Sequence, residues 1–278
     1  MIWLLLAILS SAMVSIIMRL STHKVKNNVA MLVMNYLMCL VLAALYAGVG
    51  ELVPASDALA QTIGMGVIHG ALYLASFVLL QVNVKKNGVV LSATFMKLGL
   101  LVPMVVSVFL FGEMPTPLQI VGFVTALAAI VLINMEKDSA LVQSKMGLVL
   151  LLLGGGAADA MSKVFEELGE RDLADQFLFY TFAAALLFCI GLMLVKKQRP
   201  EKAELFWGLL IGIPNFFSAK FLLLALRDVS AVIAYPTYSV ATMLVITLTG
   251  VLAFREKLGR RQWIALGVIL VALALLNT

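Results

Sequence analysis

The sequence predicts an all-α polytopic membrane protein in which ten transmembrane helices form two inverted five-helix repeats. Three observations carry that expectation. Hydrophobic residues make up 63% of the 278 and charged residues 13%, with a mean hydropathy of +1.07, beyond what a water-soluble fold can cover. The apolar residues gather into ten stretches, most near the ~20 residues that a tilted helix needs to cross a ~30 Å hydrocarbon layer. Finally, residues recur at one offset of 143: Val89, Thr94, Phe111, Glu113, Gln119 and Asn134 return as Val232, Thr237, Phe254, Glu256, Gln262 and Asn277. At an offset of 142, Gly66, Gly70 and Ser76 return as Gly208, Gly212 and Ser218. A repeat with an odd number of spans must aim its second copy the other way through the bilayer, which is the architecture of secondary transporters.

In chain order the stretches cover 2–20, 29–49, 59–82, 88–111 and 118–135, then 146–168, 177–195, 205–226, 230–254 and 262–277. They divide the chain into a first repeat, 1–138, and a second, 139–278. The first stretch has the length of a signal-peptide core. It lacks a basic start and a small-residue cleavage site and is followed by further spans, so it is read as the first helix. Cys39 and Cys189 fall inside apolar stretches and read as small buried hydrophobes, with no disulfide or metal role.

The basic residues fix an expected orientation. Of 20 Lys and Arg, 15 flank the connections that follow the odd-numbered stretches, only Arg171 and Arg227 lie on the opposite side, and Lys97, Lys163 and Lys220 lie within stretches. By the positive-inside rule the crowded side is cytoplasmic and both termini are outside. The net charge of +5 is thereby accounted for without a nucleic-acid partner.

Two stretches carry a resemblance. Phe111-Gly112-Glu113 with Gln119 and Gly122, and Phe254-Arg255-Glu256 with Gln262 and Gly267, each close one long apolar helix and open the next. They resemble the repeat ending of the EamA-type family of the drug/metabolite transporter superfamily, and the likeness extends over essentially the whole chain. It implies a ten-helix bundle whose central cavity is lined by the first, third, fourth, sixth, eighth and ninth helices, with alternating access and no ATP. The absence of a Walker-type glycine loop agrees. The sequence departs from the pattern at Arg255, which stands where the first copy has Gly112. Family members commonly keep both termini in the cytoplasm, the reverse of what the charges predict.

Candidate site residues are polar groups at membrane depth. A lysine in mid-helix costs about 2.5–3.5 kcal/mol on insertion scales, so Lys97, far from either end of its stretch, should face a wet cavity or a partner rather than snorkel. It is the first choice for a substrate ligand. Lys220 is the second, although its stem can almost reach the end of its helix. Asp159 and Lys163 stand one turn apart and can pair, with Glu166 and Glu167 also within reach of Lys163; Asp159, the deeper, is a candidate proton carrier. His69, within Gly66–Gly70, is either a hydrogen-bonded packing residue or a titrating, substrate-facing one. Pro103, Pro214 and Pro236 free the carbonyls of Gly99, Leu210 and Val232. Ser15, Tyr73, Asn215, Tyr235 and Tyr238 offer hydroxyls, rings and an amide for a cavity lining. Glu113 and Glu256 read as caps of the helices that follow them.

No zinc-protease motif, intramembrane carboxylate pair or Ser/His/Asp set can be assembled, so no catalytic residue, metal or cofactor is assigned and an enzyme is disfavoured. The expected function is secondary transport of a small organic metabolite across a lipid bilayer, proton-coupled or by exchange, in a monomer or weak dimer of the bacterial inner membrane. Counting Lys97, Lys163, Lys220 and Asp159 as ionised gives +2 within the membrane and favours an anionic or zwitterionic solute, a preference that weakens if Lys163 is neutralised. The rivals are a proton-coupled amino-acid or drug exporter, and a membrane enzyme or lipid-handling protein.

Overall fold

The computed structural model describes residues 1–87, 89–134, 144–255 and 259–278. Glu256, Lys137 and Lys257 lie outside the described residues. Among those described there is no strand. The helices are α1 (Ile2–Ser21), α2 (Asn28–Ala47), α3 (Leu59–Asn87), α4 (Val89–Leu98), α5 (Leu101–Phe111), α6 (Pro117–Asn134), α7 (Lys145–Leu168), α8 (Ala174–Val195), α9 (Lys202–Ala225), α10 (Ala231–Leu252) and α11 (Arg260–Leu276). Eight helical segments are long and apolar enough to cross a membrane, with α4 and α5 counted together from Ser92 to Phe111. Shorter apolar runs occupy Pro117–Leu132 in α6 and Gln262–Leu276 in α11. This is an integral, multi-pass membrane protein.

The stretch expected as one helix over 88–111 is broken at Gly99 and Leu100. Pro103 has no N–H to offer Gly99, four residues earlier, and glycine itself holds helix poorly. The Gly99 carbonyl is instead taken by the Val102 N–H at 2.9 Å, and Leu100 N–H donates to Lys97 O at 3.4 Å, a tighter turn between two α-helices. The acceptor that Pro103 releases is thus already engaged by the backbone next to it. Pro214 and Pro236 sit inside α9 and α10 without ending them.

Sequence-matched residues do matched local work. Gln119 Oε1 accepts from Thr116 N–H at 3.0 Å at the start of α6, and Gln262 Oε1 accepts from Gly259 N–H at 2.9 Å at the start of α11. Each amide satisfies a backbone donor left without a partner where a helix begins. Gly112 and Arg255 both adopt the left-handed region, with φ of +69° and +55°. Glycine does this at no steric cost, whereas arginine is strained there.

The chain packs as two compact units, Met1–Leu74 with Val164–Arg227, and Ala75–Lys163 with Asp228–Thr278. Each draws on both halves of the sequence, because α3 and α7 contribute to both. In the first unit Gly66 and Gly70 of α3 lie against α8, where a Cβ on Gly70 would stand 2.5 Å from the Thr181 carbonyl oxygen. Gly208 and Gly212 of α9 lie against α2, where a Cβ on Gly212 would stand 2.6 Å from the Asn35 carbonyl oxygen. Small residues that let backbones approach are the usual means of helix association in a bilayer, where apolar side chains gain nothing by leaving lipid. An aromatic and aliphatic core of Tyr36, Phe165, Phe177, Phe182, Phe216 and Leu223 fills this unit. The second unit centres on Phe123, Ile130, Val240, Leu266 and Ile269, and Gly122 of α6 meets α11 at Leu275 and Leu276.

Candidate functional site

One face of α7 carries the chemistry of the second unit. Gly156, Asp159 and Lys163 follow one another at three and four residues, so they stack on one side of the helix. Gly156 sets the approach: a Cβ there would run into the Gly99 carbonyl and come within 2.5 Å of Val102 Cγ2. Only glycine lets α7 lie against the break between α4 and α5. The Gly154-Gly155-Gly156 run is therefore a packing surface inside a continuous helix.

That contact brings the charges together. Lys97 stands two residues before Gly99 and Asp159 about one turn past Gly156, and the ammonium and carboxylate interact. Lys97 is half-buried and Asp159 is exposed. Tyr235 of α10, 2% exposed, donates its hydroxyl to the Asp159 carbonyl at 2.7 Å and so fixes the turn that presents the carboxylate.

Lys163 is satisfied by a residue that reads from the sequence only as a cap. Its Nζ lies 2.8 Å from Glu113 Oε1 with the lysine side chain 2% exposed. The other carboxylate oxygen of Glu113 accepts from the backbone N–H of Ala231 at 2.8 Å and of Val232 at 3.4 Å. Glu113 does cap a helix, but α10 rather than the α6 that follows it in sequence. One carboxylate thus serves a buried ammonium and the positive end of a distant helix.

The remaining candidates lie in the first unit. His69, 1% exposed, is stacked on Phe177 at 5.3 Å and tilted against Tyr73 at 4.5 Å, with Nδ1 3.4 Å from Thr181 Oγ1. This is the setting of a packing histidine. Asn215 donates to Asn35 Oδ1 at 3.2 Å and approaches Cys39 Sγ at 3.6 Å, while the Cys39 thiol donates to the Gly212 carbonyl at 3.3 Å. Cys39 is therefore a link in a polar chain as well as a small hydrophobe. Lys220 reaches toward the end of its helix, as its stem allows: Nζ pairs with Asp175 Oδ1 at 2.8 Å and lies 3.8 Å from the Tyr46 ring centre. Ser15 bonds back to the Ser11 carbonyl at 3.3 Å, and Tyr238 is half-buried on α10.

The structure thus gathers Lys97, Asp159, Lys163 and Tyr235 in one unit, and His69, Tyr73, Asn215 and Lys220 in the other. Asp175 and Glu113 do not stand out in the sequence as ion-pair partners. For Asp175 a signal exists: α8 begins and α9 ends on the side of the membrane that has few basic residues, so an acid early in α8 can meet a lysine late in α9. Lys163 and Lys220 are each paired with a carboxylate and Lys97 feels the charge of Asp159, so the +2 count that favoured an anionic or zwitterionic solute becomes a balance.

The second half of the chain, residues 145–278, matches the EamA-like transporter family. This region is a member of that family, within the drug/metabolite transporter superfamily. The match suggests a membrane transporter of the drug/metabolite type. An uncharacterized protein of Haemophilus influenzae is 24% identical over 206 residues, covering 72% of this chain and 69% of its own. A crystal structure of another protein superposes with a TM-score of 0.70 at 18% identity, covering 99% of this chain and 98% of that one, a likeness of fold.

Proposed function

We propose that this EamA protein is a secondary active transporter of a small zwitterionic metabolite, working by alternating access and coupled to protons or to exchange. The carrying observation is the Lys97–Asp159 pair, an ammonium and a carboxylate accessible at membrane depth. A solute bearing both charges can replace each ion's partner with one of its own, whereas a simple anion or cation leaves one of them bare in a low-dielectric site. Lys97 takes the solute's acid group and Asp159 its ammonium. When the solute leaves, Asp159 either returns to Lys97 or takes a proton, and the second course couples the cycle to the proton gradient. Tyr235 positions Asp159.

Two inverted repeats, 1–138 and 139–278, supply the alternation. The exchanged packing of matched residues supports them: Gly66 and Gly70 of α3 against α8, Gly208 and Gly212 of α9 against α2. Ser76 of α3 donates to the Gly154 carbonyl of α7 at 2.9 Å, and its match Ser218 of α9 reaches the Ala7 carbonyl of α1 at 3.5 Å. The charge asymmetry puts both termini outside, and the Haemophilus relative suits a bacterial inner membrane.

Purified protein in proteoliposomes tests the reading. With an imposed proton gradient, a labelled member of a panel of amino acids, organic anions and organic cations accumulates; the zwitterions are expected, and a protonophore collapses the accumulation. Accumulation of cations alone, or turnover or lipid movement without solute accumulation, overturns it.

A further inference from the structure

A second place in the first unit is built to hold charge of both signs. Between the start of α8 and the end of α9 lies a cavity of about 230 Å³. Its apolar floor is Leu178, Leu223 and Leu224, and its charged wall is Arg171, Asp172, Asp175, Lys220 and Arg227. The volume suits a solute of amino-acid size.

The charges are unevenly committed. Arg171 Nη2 bonds Glu166 Oε1 at 2.6 Å and Lys220 bonds Asp175 at 2.8 Å, so each cation is matched within the protein. Arg227 Nη2 donates to the backbone carbonyl of Arg171 at 2.8 Å and has no carboxylate partner among the described residues. That carbonyl belongs to the residue just before Asp172, and Arg227 and Asp172 both line the cavity and are exposed. Asp172 in turn has no cationic partner among the described residues. A wall with one uncommitted cation, one uncommitted anion and an apolar floor matches a molecule with an acid group, an ammonium and a small apolar body.

The placement of the cations strengthens the case. Arg171 and Arg227 are the two basic residues on the side of the membrane that the other loops leave nearly without them. Cations there work against the orientation that the remaining loops specify. Both line this cavity.

We infer that the cavity between α8 and α9 is a binding site for a small zwitterion at the protein surface, with Arg227 receiving the acid group and Asp172 the ammonium. It shares its solute class with the transport reading but uses none of Lys97, Asp159 or Tyr235. The same chemistry could be offered by a free amino acid or by a phosphatidylethanolamine headgroup.

Ala174 lines the cavity and is half-buried, so Ala174→Cys gives a local reporter, the native Cys39 and Cys189 being buried. The full chain in detergent is labelled with a polar maleimide in the presence of L-leucine, and Leu224→Cys serves if Ala174→Cys does not fold. L-leucine is expected to slow labelling, and Arg227→Gln or Asp172→Asn to raise the concentration needed by about tenfold, the loss of one charge-assisted contact. Lys97→Ala should leave protection intact, which separates this site from the transport site. In vesicles, slower labelling with phosphatidylethanolamine than with phosphatidylcholine, and no added effect of L-leucine, identifies the headgroup as the source. Labelling unaffected by leucine and by lipid, or protection that survives both Arg227→Gln and Asp172→Asn, overturns the proposal.

Discussion

At the scale of single residues, ionisable groups within the membrane span are tolerated because each is given a partner. Lys163 is the most buried of them, and Glu113 holds it together with the N-terminus of α10. Removing one partner of a buried pair strands the other, so Glu113→Gln is expected to destabilise the protein by up to about 3 kcal/mol. Lys163→Met in the same background should recover part of that, as read from melting in detergent. Tyr235→Phe deletes the hydrogen bond to the Asp159 carbonyl and is expected to cost about 1 kcal/mol while slowing transport, because Asp159 loses its anchor. The cost of charge in lipid made Lys97, Asp159 and Lys163 legible in the sequence as residues that need partners. Which partner each finds was not legible, since Glu113 reaches Lys163 only after α5, α7 and α10 have packed. The polar groups of Tyr235 and Asn215 were legible as cavity candidates, yet their hydrogen bonds go to the protein's own backbone and side chains.

At the scale of elements, apolar run length located the helices to within a few residues, because crossing a bilayer demands it. The exception, the break at Gly99 and Leu100, had its cause in view at Pro103. What the sequence could not supply is that the break would be used, with Gly156 of α7 lying against it and Lys97 set beside Asp159. Glycine spacing was legible as close packing, but the partner helices were not, because a small-residue stripe says how near a neighbour comes and not which neighbour it is. The packing predicts matched defects: Gly70→Val and Gly212→Val should each sharply lower the yield of folded protein and its melting temperature, since a Cβ at either would press on a backbone carbonyl that cannot yield. Gly191, on α8, is the control, because a Cβ there would meet nothing within 4 Å. Gly191→Ala should be neutral or stabilising by up to about 1 kcal/mol, as expected for glycine in a helix interior.

At the scale of the whole molecule, the 143-residue recurrence is read as two repeats, while the packing units take pieces of both halves of the sequence. The two descriptions agree if matched helices exchange neighbours, as the glycines of α3 and α9 and the serines Ser76 and Ser218 do. Composition and the recurrence pointed to a transporter, and our proposal of a solute that carries both signs rests on the balance of charge at membrane depth, which depends on Glu113 and Asp175. The central claim is that a zwitterion crosses by way of Lys97 and Asp159. Its most direct test is the rate of zwitterion uptake by proteoliposomes containing Lys97→Ala or Asp159→Asn protein, with folding checked by melting in detergent. Each folded variant is expected to lose uptake by at least about tenfold, the equivalent of one charge-assisted contact; uptake at the unsubstituted rate in both would contradict the account.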